Sequence, residues 1–221
     1  MLRKLFCTAI ALLSTTSYAS QENLHWRYKN MIAYHNSGAY TTDFKQVTQN
    51  AQQYLSRRLQ QPHADKLAVI FDIDETALSN FNTIKKLWSM SENVGDRFSK
   101  ADLNALNDTF NDPAIQPTLH LYRYALQHHV TVFFVTGRYE SDRKGTAENL
   151  RHAGYKKWKQ LILRQPNQYT LPADLYKTQA AKSIKQQGYD IVFSIGDQYS
   201  DLPHQYVDAC FKAPNPFYYI A

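Results

Sequence analysis

The apolar run Leu67-Ala68-Val69-Ile70-Phe71 stops at two carboxylates, Asp72 and Asp74. A run so uniformly apolar reads as a strand covered on both faces within a parallel sheet. Parallel strands need crossover helices, and in such sheets the carboxyl ends of the strands are where ligands bind. Acids delivered to that edge need a partner, because an uncompensated carboxylate beside a core is costly. A metal ion or an acid/base reaction supplies one.

Three readings of Asp72-Ile73-Asp74-Glu75-Thr76 compete. A calcium loop of the EF-hand type fails, since its sixth position is Ala77 instead of Gly, its twelfth is Thr83 instead of Glu, and a strand precedes it. A pair of turn or capping aspartates is the second. The third is a phosphoryl-transfer site, and the rest of the chain favours it because the pattern recurs. Residues 130–135 are a second apolar run, ending in Thr136-Gly137-Arg138, and residues 191–195 a third, ending in Gly196-Asp197-Gln198-Tyr199-Ser200-Asp201. A hydroxyl, backbone N–H groups around Gly137 and a guanidinium make a phosphate cradle. The expected fold class is therefore α/β, a doubly wound Rossmann-like parallel sheet with a small, mainly helical cap and one polar site along the strand ends.

Helical spacing supplies the layers around the strands. Residues 21–61 read as helical, with Trp26, Tyr28 and Tyr34 before a turn at Ser37-Gly38; Phe44, Val47, Ala51, Tyr54, Leu55 and Leu59 then follow Thr41 or Thr42 as N-cap. These aromatics are assigned to packing. Further helices are expected over 115–129, over 141–153 closed by Gly154, and over 177–187 ended by Gly188, with a short strand over 160–163. Residues 79–112 are polar with isolated bulky side chains, among them Phe81, Leu87, Trp88, Phe98, Leu103 and Phe110, and read as a cap insertion of short helices. Phe81 and Trp88 are its candidates for stacking on a base or aryl group. Asn107-Asp108-Thr109 has the form of a glycosylation sequon, which matters only in a eukaryotic source.

Residues 1–19 have the layout of a cleavable signal peptide: Arg3 and Lys4, an apolar core from Leu5 to Leu13, and Ser17-Tyr18-Ala19 as a small-x-small cleavage site. A periplasmic or secreted protein spanning 20–221 is expected, with 20–62 as a helical extension of the main domain. No later segment approaches the ~20 apolar residues of a membrane span, and Cys7 lies too far from the cleavage site for a lipid anchor. Cleavage leaves Cys210 as the sole cysteine, so no intramolecular disulfide is expected. Loss of Arg3 and Lys4 takes the net charge from +6 to +4, and the remaining basic residues are scattered, which does not suit nucleic-acid binding.

The seven glycines form neither Gly-x-Gly-x-x-Gly nor a Walker loop, which argues against a nucleotide cofactor. Arg151-His152-Ala153-Gly154 sits at a helix end without a catalytic partner, and the neighbours His128 and His129 do not share a helix face.

In this order the motifs resemble the haloacid dehalogenase superfamily, whose phosphatases carry Asp-x-Asp-x-Thr, a strand-end Thr or Ser, a lysine and Gly-Asp-x-x-x-Asp. Ser37-Gly38-Ala39-Tyr40, residues 71–80, 134–138 and 196–202, and Lys212-Ala213-Pro214-Asn215-Pro216-Phe217-Tyr218-Tyr219 are similar to its acid phosphatase subfamily IIIB, which includes class C-like bacterial secreted acid phosphatases and plant vegetative storage proteins. The resemblance implies an exported Mg²⁺-dependent acid phosphatase acting on small phosphate monoesters, nucleoside monophosphates among the candidates. It further implies Asp72 as nucleophile, Asp74 as general acid/base, and Thr136, Gly137, Arg138 and Lys177 around the phosphate. Mg²⁺ would be held by Asp72, the Asp74 carbonyl and Asp197, with Asp201 either a ligand or an orienting group for Lys177. The plant-type pattern Tyr-Lys-Ser-x-x-Arg selects Lys177 from Tyr176-Lys177-Thr178, but its arginine position holds Ala181 with Lys182 next. A catalytically weak storage or binding protein on the same fold is the alternative, and retention of Asp72 speaks against it. Oligomeric state is left open by the sequence.

Overall fold

Strand β1 (Lys66–Phe71) has hydrogen-bonded parallel neighbours on both sides, and Leu67 to Phe71 are all buried. The computed structural model describes residues 24–62, 66–90 and 111–220. The expected signal peptide 1–19, the sequon at Asn107, and Phe98, Leu103 and Phe110 of the expected cap lie outside the described residues.

In chain order the elements are α1 (Leu24–Asn36), α2 (Ala39–Leu59), β1, α3 (Phe81–Met90), α4 (Gln116–Gln127), β2 (Thr131–Tyr139), α5 (Arg143–His152), β3 (Gln160–Arg164), α6 (Ala173–Gln186), β4 (Tyr189–Gly196) and β5 (Ala209–Lys212), with single 3₁₀ turns at Glu140–Asp142, Pro166–Gln168 and Tyr199–Asp201. The sheet order is β3-β2-β1-β4-β5, and every pairing is parallel. At the carboxyl end of β1, Phe71 stands beside Phe134 of β2 and Ile195 of β4, so three polar strand ends arrive at one edge.

The two faces of β1 follow the strand period of two. Leu67, Val69 and Phe71 pack with Ala51 and Leu55 of α2 and Leu119, Tyr122 and Ala125 of α4. Ala68 and Ile70 pack on the other face with Tyr176, Ala180, Ala181 and Ile184 of α6. A third cluster joins Tyr40 and Phe44 of α2, Phe81 and Ile84 of α3, Ile115, Ala213 and Phe217, and lies beside the sheet edge that carries the acids.

Several boundaries differ from expectation for local reasons. Helix α2 starts at Ala39, behind Gly38 at φ +85°, and neither Thr41 nor Thr42 caps it; the Thr42 hydroxyl instead donates to the Gly38 carbonyl. Trp26 is 55% exposed with the Lys29 ammonium over its ring, so it is not a core residue. Helix α6 begins four residues before Lys177, directly after Pro172, whose fixed φ suits a helix start. Strand β2 does not stop at Val135: pairing with β3 resumes at Tyr139, and Thr136-Gly137-Arg138 is looped out as a bulge within the strand. Strand β5 is not foreshadowed by the sequence pattern; it is a four-residue edge strand of half-buried residues.

Candidate active site

The ladder continues one residue past β1, where the Asp72 N–H donates to the Ile195 carbonyl at 3.0 Å. The chain then closes a tight turn in which the N–H groups of Thr76, Ala77 and Leu78 all point to the Ile73 carbonyl. Glu75 occupies this turn at φ +48° and is fully buried. Its carboxylate accepts the Tyr40 hydroxyl at 2.5 Å and the Asn80 N–H at 2.5 Å, which ties the turn to α2 and α3. Burial pushes its carboxyl up to about 8.

Lys177 enters from the second turn of α6 and is only 6% exposed. Its ammonium has three acceptors for three protons: Asp72 Oδ1 at 2.5 Å, Asp201 Oδ1 at 2.7 Å and the Val135 carbonyl at 2.6 Å. Burial disfavours the ammonium charge, but Asp201 and Asp72 outweigh it and raise the lysine above its ordinary value. Asp201 closes on β4 because Gly196 has no side chain; a Cβ there would lie 2.2 Å from the Asp201 Cβ. The second Asp201 oxygen accepts the Gln198 N–H at 2.9 Å.

Asp197, at the end of β4, receives two side-chain amides on one oxygen, Gln198 Nε2 at 2.5 Å and Asn215 Nδ2 at 2.6 Å. Its other oxygen faces the Thr76 hydroxyl at 3.4 Å. Burial and the neighbouring Asp201 push it up to about 7, against the pull of those amides. Asp72 is likewise driven well up by burial and by Asp201, with Lys177 opposing. Asp72, Asp197 and Asp201 each bring an oxygen to within 4.8 Å of the others. Fully ionised, three carboxylates against one ammonium carry two uncompensated negative charges in a buried oxygen-only cluster, the complement of a hard divalent cation.

Asp74 forms a separate pair. Arg138 binds it through Nη2 at 2.6 Å and Nε at 3.1–3.2 Å. The same guanidinium donates to the Thr146 hydroxyl at 3.3 Å and lies 3.6 Å from Asp112. Burial works against the Asp74 charge, but Arg138 overrides it and holds the carboxyl below its usual range. Asp112 is raised to about 6 by burial and by Asp74. The side chain of Asp74 remains 26% exposed while that of Arg138 is 1% exposed, so the acid faces outward and the guanidinium is enclosed. A sealed guanidinium needs carboxylate partners, which is why Arg138 lies on Asp74 instead of standing open for an anion as the sequence suggested.

Of the residues expected at the site, Asp72, Lys177, Asp197 and Asp201 converge, and Asp74 and Arg138 pair beside them. Thr136 is buried in the bulge, its hydroxyl accepting the Arg138 N–H at 3.2 Å, and Gly137 is exposed. Lys182 is exposed, one residue after the buried Ala181. Phe81 is not available for substrate stacking, since it is 6% exposed between His35 and Phe217. Trp88 stacks on Tyr28 at 5.7 Å and packs against the same cluster. Sequence reasoning assigned no chemical part to Glu75, Thr76, Asp112, Gln198 or Asn215, although all but Asp112 fall within the segments 71–80, 196–202 and 212–219 that carry the resemblance. A separate surface cavity of about 840 Å³, lined by Arg143, Lys144, Arg151, Trp158 and Lys159 among others, shares none of the acidic residues.

Residues 2–221 match the family described as HAD superfamily, subfamily IIIB (Acid phosphatase). The chain is 37% identical over 194 residues to the Stem 31 kDa glycoprotein of Glycine max, covering 85% of this chain and 72% of that protein. It is 33% identical over 196 residues to Vegetative storage protein 1 of Arabidopsis thaliana (84% and 71% covered), and 36% identical over 152 residues to Acid phosphatase 1 of Solanum lycopersicum (68% and 58%). Among solved structures, the class C acid phosphatase from Bacillus anthracis superposes with a TM-score of 0.69 over 89% of this chain and 86% of that one; at 18% identity this is a likeness of fold.

Proposed function

From the premise that this chain belongs to the subfamily IIIB acid phosphatases of the HAD superfamily, and is a phosphomonoesterase, we propose that it hydrolyses small phosphate monoesters through an aspartyl-phosphate on Asp72 with Mg²⁺ as the resident cation. The observation that carries this reading is the buried Asp72 carboxylate, joined to Lys177 within a three-carboxylate cluster that, once ionised, lacks two positive charges. Asp72, Asp197 and the Asp74 main-chain carbonyl would hold the ion, with Asp201 kept on Lys177. When bound, the ion supplies the charge that lets an anionic nucleophile approach an anionic phosphate.

The protein's own groups then divide the work. A carboxylate oxygen of Asp72 attacks phosphorus as the ester P–O bond breaks, and Asp74 gives its proton to the departing alkoxide. Asp74, now ionised, takes a proton from a water that attacks the aspartyl-phosphate; inorganic phosphate leaves and both acids are restored. Lys177 and Thr136 stabilise the equatorial oxygens where transition-state charge spreads. Arg138 is a positioning residue, turning Asp74 toward the opening. Because it also lowers the carboxyl, protonated Asp74 is abundant only in acid, which suits an acid phosphatase.

The tungstate-bound class C acid phosphatase from Bacillus anthracis lends support by analogy, since tungstate is a tetrahedral oxyanion like phosphate. Export with cleavage after Ala19 belongs to the same reading; among the described residues no helix is long and apolar enough to cross a membrane. The domain division is likewise proposed, with 20–62 as a helical extension and 79–112 as the cap. A panel of phosphate esters, assayed with and without Mg²⁺, tests the reading. Inactivity across the panel would favour the storage-protein alternative, in keeping with the vegetative storage relative.

A further inference from the structure

We propose that Asn215 and Gln198 restrict Asp197 to ligation through a single oxygen, and that this restriction selects Mg²⁺ over Ca²⁺. The proposal rests on the Mg²⁺ reading above and assigns a positioning role to residues outside the ligand set. Both amides donate to the same atom, Asp197 Oδ2, at 2.5 and 2.6 Å. A carboxylate oxygen that already accepts two short hydrogen bonds has little capacity left for a cation, so Oδ1 is the oxygen on offer. Ca²⁺ readily takes both oxygens of a carboxylate and tolerates irregular, higher coordination, whereas Mg²⁺ takes six ligands in near-ideal octahedral geometry. Blocking Oδ2 therefore costs the larger ion a ligand and costs the smaller one nothing.

Neither amide is free to turn away. Asn215 accepts the N–H groups of Phe217 and Tyr218 on its own Oδ1, at 2.8 and 3.3 Å, which fixes which end of the amide faces Asp197. Pro214 and Pro216 flank it and stiffen the backbone on each side. The segment is anchored ahead of Asn215 by the Ala213 N–H on the Gly196 carbonyl at 2.8 Å, and behind it by Phe217, buried against Tyr40 and Phe81. Gln198 is held in the same manner, its Oε1 accepting the Ile220 N–H at 3.0 Å. Residues 213–220 thus reach the cation site through two amides, one belonging to the segment and one oriented by it.

The test compares wild type with Asn215→Ser and Gln198→Ser, titrating each purified protein separately with Mg²⁺ and Ca²⁺ by calorimetry and by the rise in unfolding temperature. Serine at 215 keeps an oxygen to accept the Phe217 N–H but is too short to reach Asp197. In each variant Mg²⁺ binding should weaken about tenfold or more, while Ca²⁺ binding weakens less than about threefold or strengthens, since Oδ2 keeps only one of its two hydrogen bonds and regains capacity for the larger ion. Equal weakening of both ions, or no change in either, would reduce the amides to satisfying a buried carboxylate and overturn the proposal. Should Asn215→Ser not fold, the Gln198→Ser ratio decides alone. Wild-type protein that binds neither ion would remove the Mg²⁺ reading itself, a result distinct from a wild type that binds Mg²⁺ with variants of unchanged selectivity.

Discussion

Asp72 and Asp74 are two residues apart in sequence but live in opposite electrostatic settings, and each setting makes a prediction. Asp72→Asn keeps the size of the side chain and leaves Lys177 its bonds to Asp201 and Val135, while relieving a crowded acidic cluster. Activity should fall by roughly 10³-fold or more, with circular dichroism and unfolding temperature close to wild type; wild-type turnover in that folded variant would end the phospho-aspartate mechanism. Arg138→Gln acts on the other acid. Without the guanidinium, burial raises the Asp74 carboxyl against only the smaller pulls of Asn80 and Lys177, so the protonated acid survives to higher pH. The alkaline limb of the kcat/KM profile should move up by about one pH unit or more while kcat falls by about a hundredfold, because Asp74 loses its orientation. An unmoved alkaline limb would show that Asp74 is not the titrating acid. The strand-end acids were legible in the sequence because a core strand tolerates carboxylates at its end only where a cation or a reaction compensates their charge. The partner of Arg138 was not legible, because Asp74 and Asp112 meet it only through the fold and the bulge in β2.

Elements fix these distances more than side chains do. The turn Tyr199–Asp201 packs onto β4 through the missing side chain of Gly196, so Gly196→Ala drives a Cβ into Asp201. We expect a loss of about 3 kcal/mol in denaturant unfolding, together with weakened activity, since Asp201 cannot back away without releasing Lys177; a stable, fully active variant would contradict this account. Buried strands β1, β2 and β4 announced themselves as apolar runs, and α2 and α4 as helical periodicity. Strand β5 did not, because Ala209-Cys210-Phe211-Lys212 is a short edge strand with mixed residues and half-buried side chains. Phe81 illustrates the limit on reading function from residue type: an aromatic in a cap suits a base as well as a neighbouring ring. Burial against His35 and Phe217 decides in favour of packing.

For the whole molecule the buried acids set a stability cost that depends on pH and on the cation. Glu75 at about 8, Asp197 at about 7 and Asp112 at about 6 all lie above the ordinary carboxylate range of the unfolded chain. Over the interval from about pH 4 to pH 8 the folded protein therefore binds more protons than the unfolded one, and stability falls as pH rises. Asp74, held low by Arg138, acts in the opposite sense only in stronger acid. Cation-free protein should lose on the order of 5 °C in unfolding temperature between about pH 5 and pH 8, and Mg²⁺ should flatten the upper part of that slope by taking over the charge of Asp197. A slope that rises with pH would refute the sign. The strand order β3-β2-β1-β4-β5 has a further consequence, which concerns synthesis. Among the described residues β1 is the first strand made and the central one, and β2 can cover one of its edges early, but the other waits for β4. From Phe71 to Gly196 is 125 residues (196 − 71), so at typical synthesis rates that apolar edge waits for on the order of ten seconds. Through that interval Asp72 already ends an open, sticky strand, and a holding chaperone has a defined segment, residues 67–71, to protect.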